Sequence, residues 1–281
     1  MNRILIKLFC GAILLAMPIG VYAKKKSAND STYCPLYTAL ELNVGGAAWI
    51  EKPLSYFTFD GPSFSVGVEM MRASKDSKWV QQHQLRYAYN RGKMAISGNG
   101  GSNVHMGNYT FGMMTHSTVC PDLRLYYGYD IDVMGGLVTN AHGGNNPMTI
   151  KSDISVGFTG MAVYDFNLGK LPVTARYQMA LPVLSAFSQL DQGYMTIGLF
   201  DGYRVGSWES RFNMRNRLHF DLHFDTWALR LGYNNDILTY YATPNHFQYV
   251  SHQFVVGFAG DLMRWSISKE NKNIKPALYT Y

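Results

Sequence analysis

The chain has 281 residues, of which 47% are hydrophobic, 14% aromatic and only 16% charged, with a formal net charge of +6. Charged residues make up about 25% of an ordinary soluble domain, so the polar surface of such a domain is missing, while 20 Tyr, 15 Phe and 5 Trp exclude a disordered chain. Beyond residue 23 no apolar run approaches the roughly 18 residues of a membrane helix, which leaves an all-β class, the transmembrane barrel, apolar outside at alternate positions only.

Met1 to Ala23 reads as a secretory signal peptide. Arg3 and Lys7 form its basic region, Leu8–Ala16 its apolar core, and Val21 and Ala23 stand at the −3 and −1 positions of a cleavage site. Bulky Phe9 before Cys10, and an apolar run continuing past it, argue against a lipoprotein. Cleavage after Ala23 removes Arg3 and Lys7, leaving 23 Lys and Arg against 19 Asp and Glu. Apart from Lys24-Lys25-Lys26 there is no basic cluster, so no nucleic-acid partner is expected. Export with a barrel composition implies the outer membrane of a Gram-negative cell. Residues 24–35 then form a periplasmic segment and residues 36–260 the barrel.

Side chains alternate across a strand, and about ten segments alternate in this way. After a weaker first candidate at 36–49, residues 62–72 set Phe64, Val66, Val68 and Met70 against Ser63, Ser65, Gly67 and Glu69. Residues 79–91 set Leu85, Tyr87 and Tyr89 against Gln82, Gln84, Arg86 and Asn90. A weaker segment at 104–115 precedes 122–134, where Leu125, Tyr127, Tyr129, Ile131 and Val133 oppose Arg124, Asp130 and Asp132. In 151–165 the outward set is Ile154, Val156, Phe158, Ala162 and Tyr164, and in 173–183 Tyr177 and Met179 oppose Arg176 and Gln178. The pattern is strongest where Leu218, Phe220, Leu222 and Phe224 alternate with Arg217, His219, Asp221 and His223. A turn at Asp225-Thr226 leads into Trp227, Leu229 and Leu231 set against Arg230, and 248–260 closes the series. A soluble β-sandwich alternates too, but its outward face would carry more charge.

Short links at 73–78, 116–121, 167–172 and 225–226 alternate with long links at 50–61, 92–103, 135–150, 184–209 and 238–247. Barrels with short periplasmic turns and long outer loops then keep both termini periplasmic. Within 184–209, Tyr194–Phe200 leaves room for a further strand pair and a twelve-strand alternative. Residues 261–281 read as a periplasmic tail. Ala277, Tyr279 and Tyr281 alternate like a terminal strand read by the barrel assembly machinery, but Lys269–Lys275 is too polar for the lower part of such a strand.

The inward set is long and charged: Arg86, Arg124, Asp130, Asp132, Arg176, Arg217, His219, Asp221, His223 and Arg230. The expectation is a polar network that fills a narrow lumen. Nucleophilic hydrolysis needs serine and base within reach, yet His116-Ser117 and Ser251-His252 are adjacent and point to opposite faces. Asp130-x-Asp132 and Asp221-x-His223 have the spacings of omptin-like proteases, but the pairs fall at different heights in the barrel. His219, Asp221, His223 and Asp225 share a face on which imidazole and carboxylate suit zinc or copper, although pairing with arginine is favoured. Gly98-Asn99-Gly100-Gly101 and Gly143-Gly144-Asn145-Asn146 sit at loop tips, not between strand and helix, so no cofactor is expected. Cys34 and Cys120 fall on one side of the membrane, where a disulfide is permitted.

Tyr127-Gly128-Tyr129-Asp130, His142-Gly143-Gly144-Asn145-Asn146-Pro147, Tyr177-Gln178-Met179-Ala180-Leu181-Pro182 and Gly257-Phe258-Ala259-Gly260-Asp261-Leu262 resemble a Bacteroidota family of outer-membrane barrels known as a domain of unknown function. The resemblance spans most of the mature chain. It implies an outer-membrane location and no established activity. Three readings follow: a largely closed barrel with a structural, binding or restricted-transport role, an outer-membrane hydrolase of the lipase or protease type, and a partner in envelope assembly. Outer-membrane lipid, lipopolysaccharide and the barrel assembly machinery are the expected partners, and the ligand stays open.

Overall fold

The computed structural model describes residues 36–52, 54–73, 79–140, 148–188, 203–224, 227–242 and 245–261. They form strands β1 (Leu36–Glu51), β2 (Phe59–Ala73), β3 (Trp79–Met94), β4 (Ser102–Cys120), β5 (Leu123–Asn140), β6 (Met148–Leu168), β7 (Leu171–Ser188), β8 (Tyr203–Ser207), β9 (Arg211–His223), β10 (Trp227–Ala242) and β11 (Asn245–Asp261). Every pairing is antiparallel, in the order β6-β5-β4-β3-β2-β1-β11-β10-β9-β7, and β7 returns to β6. Ten strands therefore close a barrel, and β8 is one extra strand outside the ring. The signal peptide, Cys34, the 142–147 loop, Tyr194–Phe200, Asp225-Thr226 and the tail after Asp261 lie outside the described residues.

The alternation dictates which face turns outward. Phe158 and Phe254 are 68% and 72% exposed, whereas Arg230 is wholly buried. At the turn end Trp79, Tyr164, Phe224 and Trp227 face outward, and Phe224 stacks on Trp227 with ring centroids 4.5 Å apart. Following paired residues once round the ring from Met161, through Gln178, Arg217, Gln253, Ser63 and Val138, returns to Thr149, a stagger of 12 residues on β6. With a rise of about 3.3 Å and a strand spacing of about 4.8 Å, that stagger tilts the strands by roughly 40°.

The strands run further than the apolar alternation reached. The link expected at 135–150 shrinks to 141–147, and that expected at 238–247 to 243–244, so one loop-end link is as short as the turns. Hydrogen bonding between strands continues past the outward apolar band, where the apolar alternation stops. Thr139 pairs with Asn103 in this region. At Pro182 the ring divides: β9 leaves β7 after Ala180 and β8 joins it at Leu184. Proline has no N–H to donate there, and the facing bulge at Val156/Gly157 takes up the irregularity.

Inside, two apolar clusters lie toward opposite ends. Tyr37, Ala39, Met71, Val80, Met114, Tyr126, Met161 and Val163 gather near the turns. Ala47, Trp49, Phe59, Val104, Val138, Phe187, Tyr240, Phe247 and Tyr249 gather near the loops. The stretch between them is polar.

Candidate functional site

The inward residues of the central stretch are charged, whereas the opposite face of each strand is largely apolar. Buried charges persist only when paired, and here the partners come from neighbouring strands and from across the lumen. Arg230 on β10 lies opposite Asp221 of β9 and grips it bidentately, Nε to Oδ1 at 2.8 Å and Nη2 to Oδ2 at 2.9 Å. Its Nη1 donates to Glu41 of β1 at 2.7 Å and to Glu69 of β2 at 2.6 Å. The Tyr37 hydroxyl accepts from Arg230 and donates to Asp221 at 2.5 Å. Arg176 on β7 donates to Glu69 at 2.5 Å and to Nδ1 of His219 at 3.2 Å. Since Nδ1 accepts, Nε2 carries the histidine proton and donates to Asn234 at 3.0 Å.

Above this hub, toward the loops, Arg215 binds Asp132 at 2.6 Å, Asp130 at 3.2 Å and the Thr110 hydroxyl at 2.7 Å. Arg86 pairs with Asp236 at 2.5 Å and donates to Ser65 at 3.0 Å, while Arg217 donates to Gln84. Nearer the loops, Lys151 meets Glu51 at 2.9 Å and Arg211 meets Asp153 at 2.5 Å. At the turn end Arg124 pairs with Asp165. The Thr174 hydroxyl donates to Asp165 at 2.6 Å and so accepts from Nε2 of His223 at 2.7 Å. That polarity points the threonine proton at Asp165 and not at the histidine.

The structure thus places Arg86, Arg124, Asp130, Asp132, Arg176, Arg217, His219, Asp221, His223 and Arg230 on the inward face, and gathers Arg176, His219, Asp221 and Arg230 into one group. It does not bring Asp130 and Asp132 to Asp221 and His223, because Arg215 holds the first pair while Arg230 and Thr174 hold the second. Ser251 is buried and its neighbour His252 exposed, so they do face opposite ways. Among the described residues no group of three or more His, Cys, Asp or Glu is placed to hold a metal ion. Cys120 is exposed at the end of β4.

Glu41, Lys151, Arg211 and Asp236 are partners that sequence reasoning did not single out. Glu41 lies in a strand with weak alternation, and Lys151 stands at the edge of a segment read as a loop. Their inward parity was the one available signal. Among the described residues a cavity of about 50 Å³ lies between Arg86, Asn108, Asp132, Arg215, Asp236 and Tyr249. Another of about 30 Å³ lies between Tyr37, Arg124, Thr174, Arg176 and Asp221. These two spaces take a few waters at most.

The profile of a family described as "Protein of unknown function (DUF3316)" matches residues 5–269. No curated protein matches the chain. Among solved structures, the chain is similar to the outer membrane protease OmpT from Escherichia coli, with a TM-score of 0.48 at 5% identity over 81% of this chain and 97% of that one. The transport unit of the autotransporter AIDA-I from Escherichia coli gives a TM-score of 0.45 at 6% identity, over 90% and 97%. The beta domain of the Bordetella autotransporter BrkA gives 0.41 at 11% identity, over 81% and 100%.

Proposed function

The chain belongs to the DUF3316 family of proteins of unknown function, and on that premise we propose that it is an outer-membrane barrel with a sealed interior and a structural or binding role in the envelope. The observation that carries this reading is the filling of the lumen. Paired charges occupy its centre, apolar clusters flank them, and the cavities left among the charges are of about 50 and 30 Å³. Eight to ten strands leave an interior that side chains can fill, and here they do. The outward apolar band and the aromatic residues at the turn end support membrane insertion. A solute could cross only by parting Arg230 from three carboxylates, which disfavours transport. Binding then falls to the outer rim and the lipid-facing surface. Lipid and lipopolysaccharide are the partners of that surface on this reading, with the barrel assembly machinery acting during insertion.

The test is electrical. Purified protein inserted into planar bilayers should give no steady open-channel current at moderate voltage. A large, long-lived conductance would overturn the sealed-core reading.

A further inference from the structure

One row of side chains breaks the outward apolar pattern. On β9 the outward series runs Phe212, Met214, Asn216, Leu218, Phe220, and on β10 it runs Leu231, Tyr233, Asn235, Ile237. On β11 it runs Val250, His252, Phe254, Val256. The polar residue stands between apolar neighbours above and below on each strand. The three are also in register, Asn216 opposite Asn235 and Asn235 opposite His252, with exposed Gly46 of β1 next in the row. This is a polar stripe across the middle of a lipid-facing surface.

Its internal hydrogen bonds leave donors over. Asn216 donates to Asn235 at 3.3 Å and accepts from the Tyr177 hydroxyl at 3.0 Å. Asn235 uses its amino group on the Ser251 carbonyl at 3.0 Å and on Nδ1 of His252 at 3.3 Å. Nδ1 also accepts from the Tyr233 hydroxyl, so the proton of His252 sits on Nε2. Neither that Nε2–H nor the second amide N–H of Asn216 has a hydrogen-bond partner among the described residues. Hydrocarbon offers such donors nothing, and an unmet polar group there is costly.

We infer that the outer face of β9–β10–β11 is the contact between two copies of this chain within the membrane. A two-fold axis along the membrane normal crosses the stripe with its copy, so that one position of the row meets itself. A carboxamide carries both donors and acceptors, so two asparagines can satisfy each other across such an axis. Leu218, Ile237 and Phe254 supply apolar packing around the stripe, and Gly46 leaves room beside His252. The inference rests on the membrane placement proposed above.

The experiment reconstitutes the full mature chain in phosphatidylcholine–phosphatidylglycerol vesicles at decreasing protein-to-lipid ratio, with Cys34→Ser and Cys120→Ser as background. Phe254→Cys, beside the stripe, should cross-link into dimers under mild oxidation. Phe111→Cys, on β4 near the outward His83–Tyr109 pair, should not. Asn216→Leu with Asn235→Leu should weaken association about tenfold, the scale of one or two hydrogen bonds in a membrane. The same double variant should keep heat-modifiable migration, because leucine suits a lipid-facing site. Monomers at every lipid ratio, undiminished dimers in the leucine variant, or cross-linking at Phe111→Cys would overturn this contact while leaving membrane placement intact. Failure of the chain to enter vesicles would overturn both.

Discussion

Arg230 is the residue on which the lumen balances. It holds Asp221, Glu41 and Glu69 at once, and Arg176 is the other arginine bonded to this group. Removing Asp221 leaves two carboxylates with two guanidinium groups. Removing Arg230 leaves three carboxylates with one. Arg230→Met should therefore destabilise the barrel by about 3–5 kcal/mol, as for a buried pair that loses one partner, and Asp221→Asn should cost clearly less. Urea unfolding in detergent or vesicles, read by tryptophan fluorescence, orders the two. Equal stability of both variants would sink the hub reading. The sequence told which side chains face inward, since parity alone decides that. It did not tell that Glu41 and Glu69 meet an arginine on β10, because such contacts depend on how ten strands are staggered around a closed ring.

At the scale of the strand, closure depends on where backbones approach most closely. Gly45 of β1 faces Gln253 of β11 at the seam between first and last strands. A Cβ there would stand 1.9 Å from the His252 carbonyl oxygen. Gly135 on β5 faces outward, with nothing within 4 Å of the same hypothetical atom. Gly45→Ala should cut the yield of folded, heat-modifiable protein severalfold, and Gly135→Ala should leave it unchanged. Comparing the two on unboiled gels gives the answer. Strands such as β5 and β9 were legible because their outward residues are largely apolar at every second position. By contrast, β8 was not: Tyr203–Ser207 is short and contains one strongly exposed aliphatic residue, Val205, too little to show a period. The upper ends of β5, β6 and β10 were lost for a related reason, since above the band water accepts any side chain.

For the whole molecule, the outward band and the basic, apolar and small-residue leader predict a mature chain that begins near Lys24 and fractionates with the outer membrane. N-terminal sequencing of membrane fractions, with boiled and unboiled samples compared, checks it. Recovery as a soluble periplasmic protein would contradict the placement. The count of ten ring strands was legible from ten alternating segments, while the extra strand and the true link lengths required the paired backbones. One consequence of the cross-lumen ion pairs concerns ambiguity. An alternating apolar face repeats every second residue, so a seam slipped by two positions looks the same to lipid. Such a slip would move Glu41 by about 6.6 Å along β1, out of reach of Arg230. The outward apolar surface therefore says only which face is out, and the buried charges single out one alignment among otherwise equivalent ones.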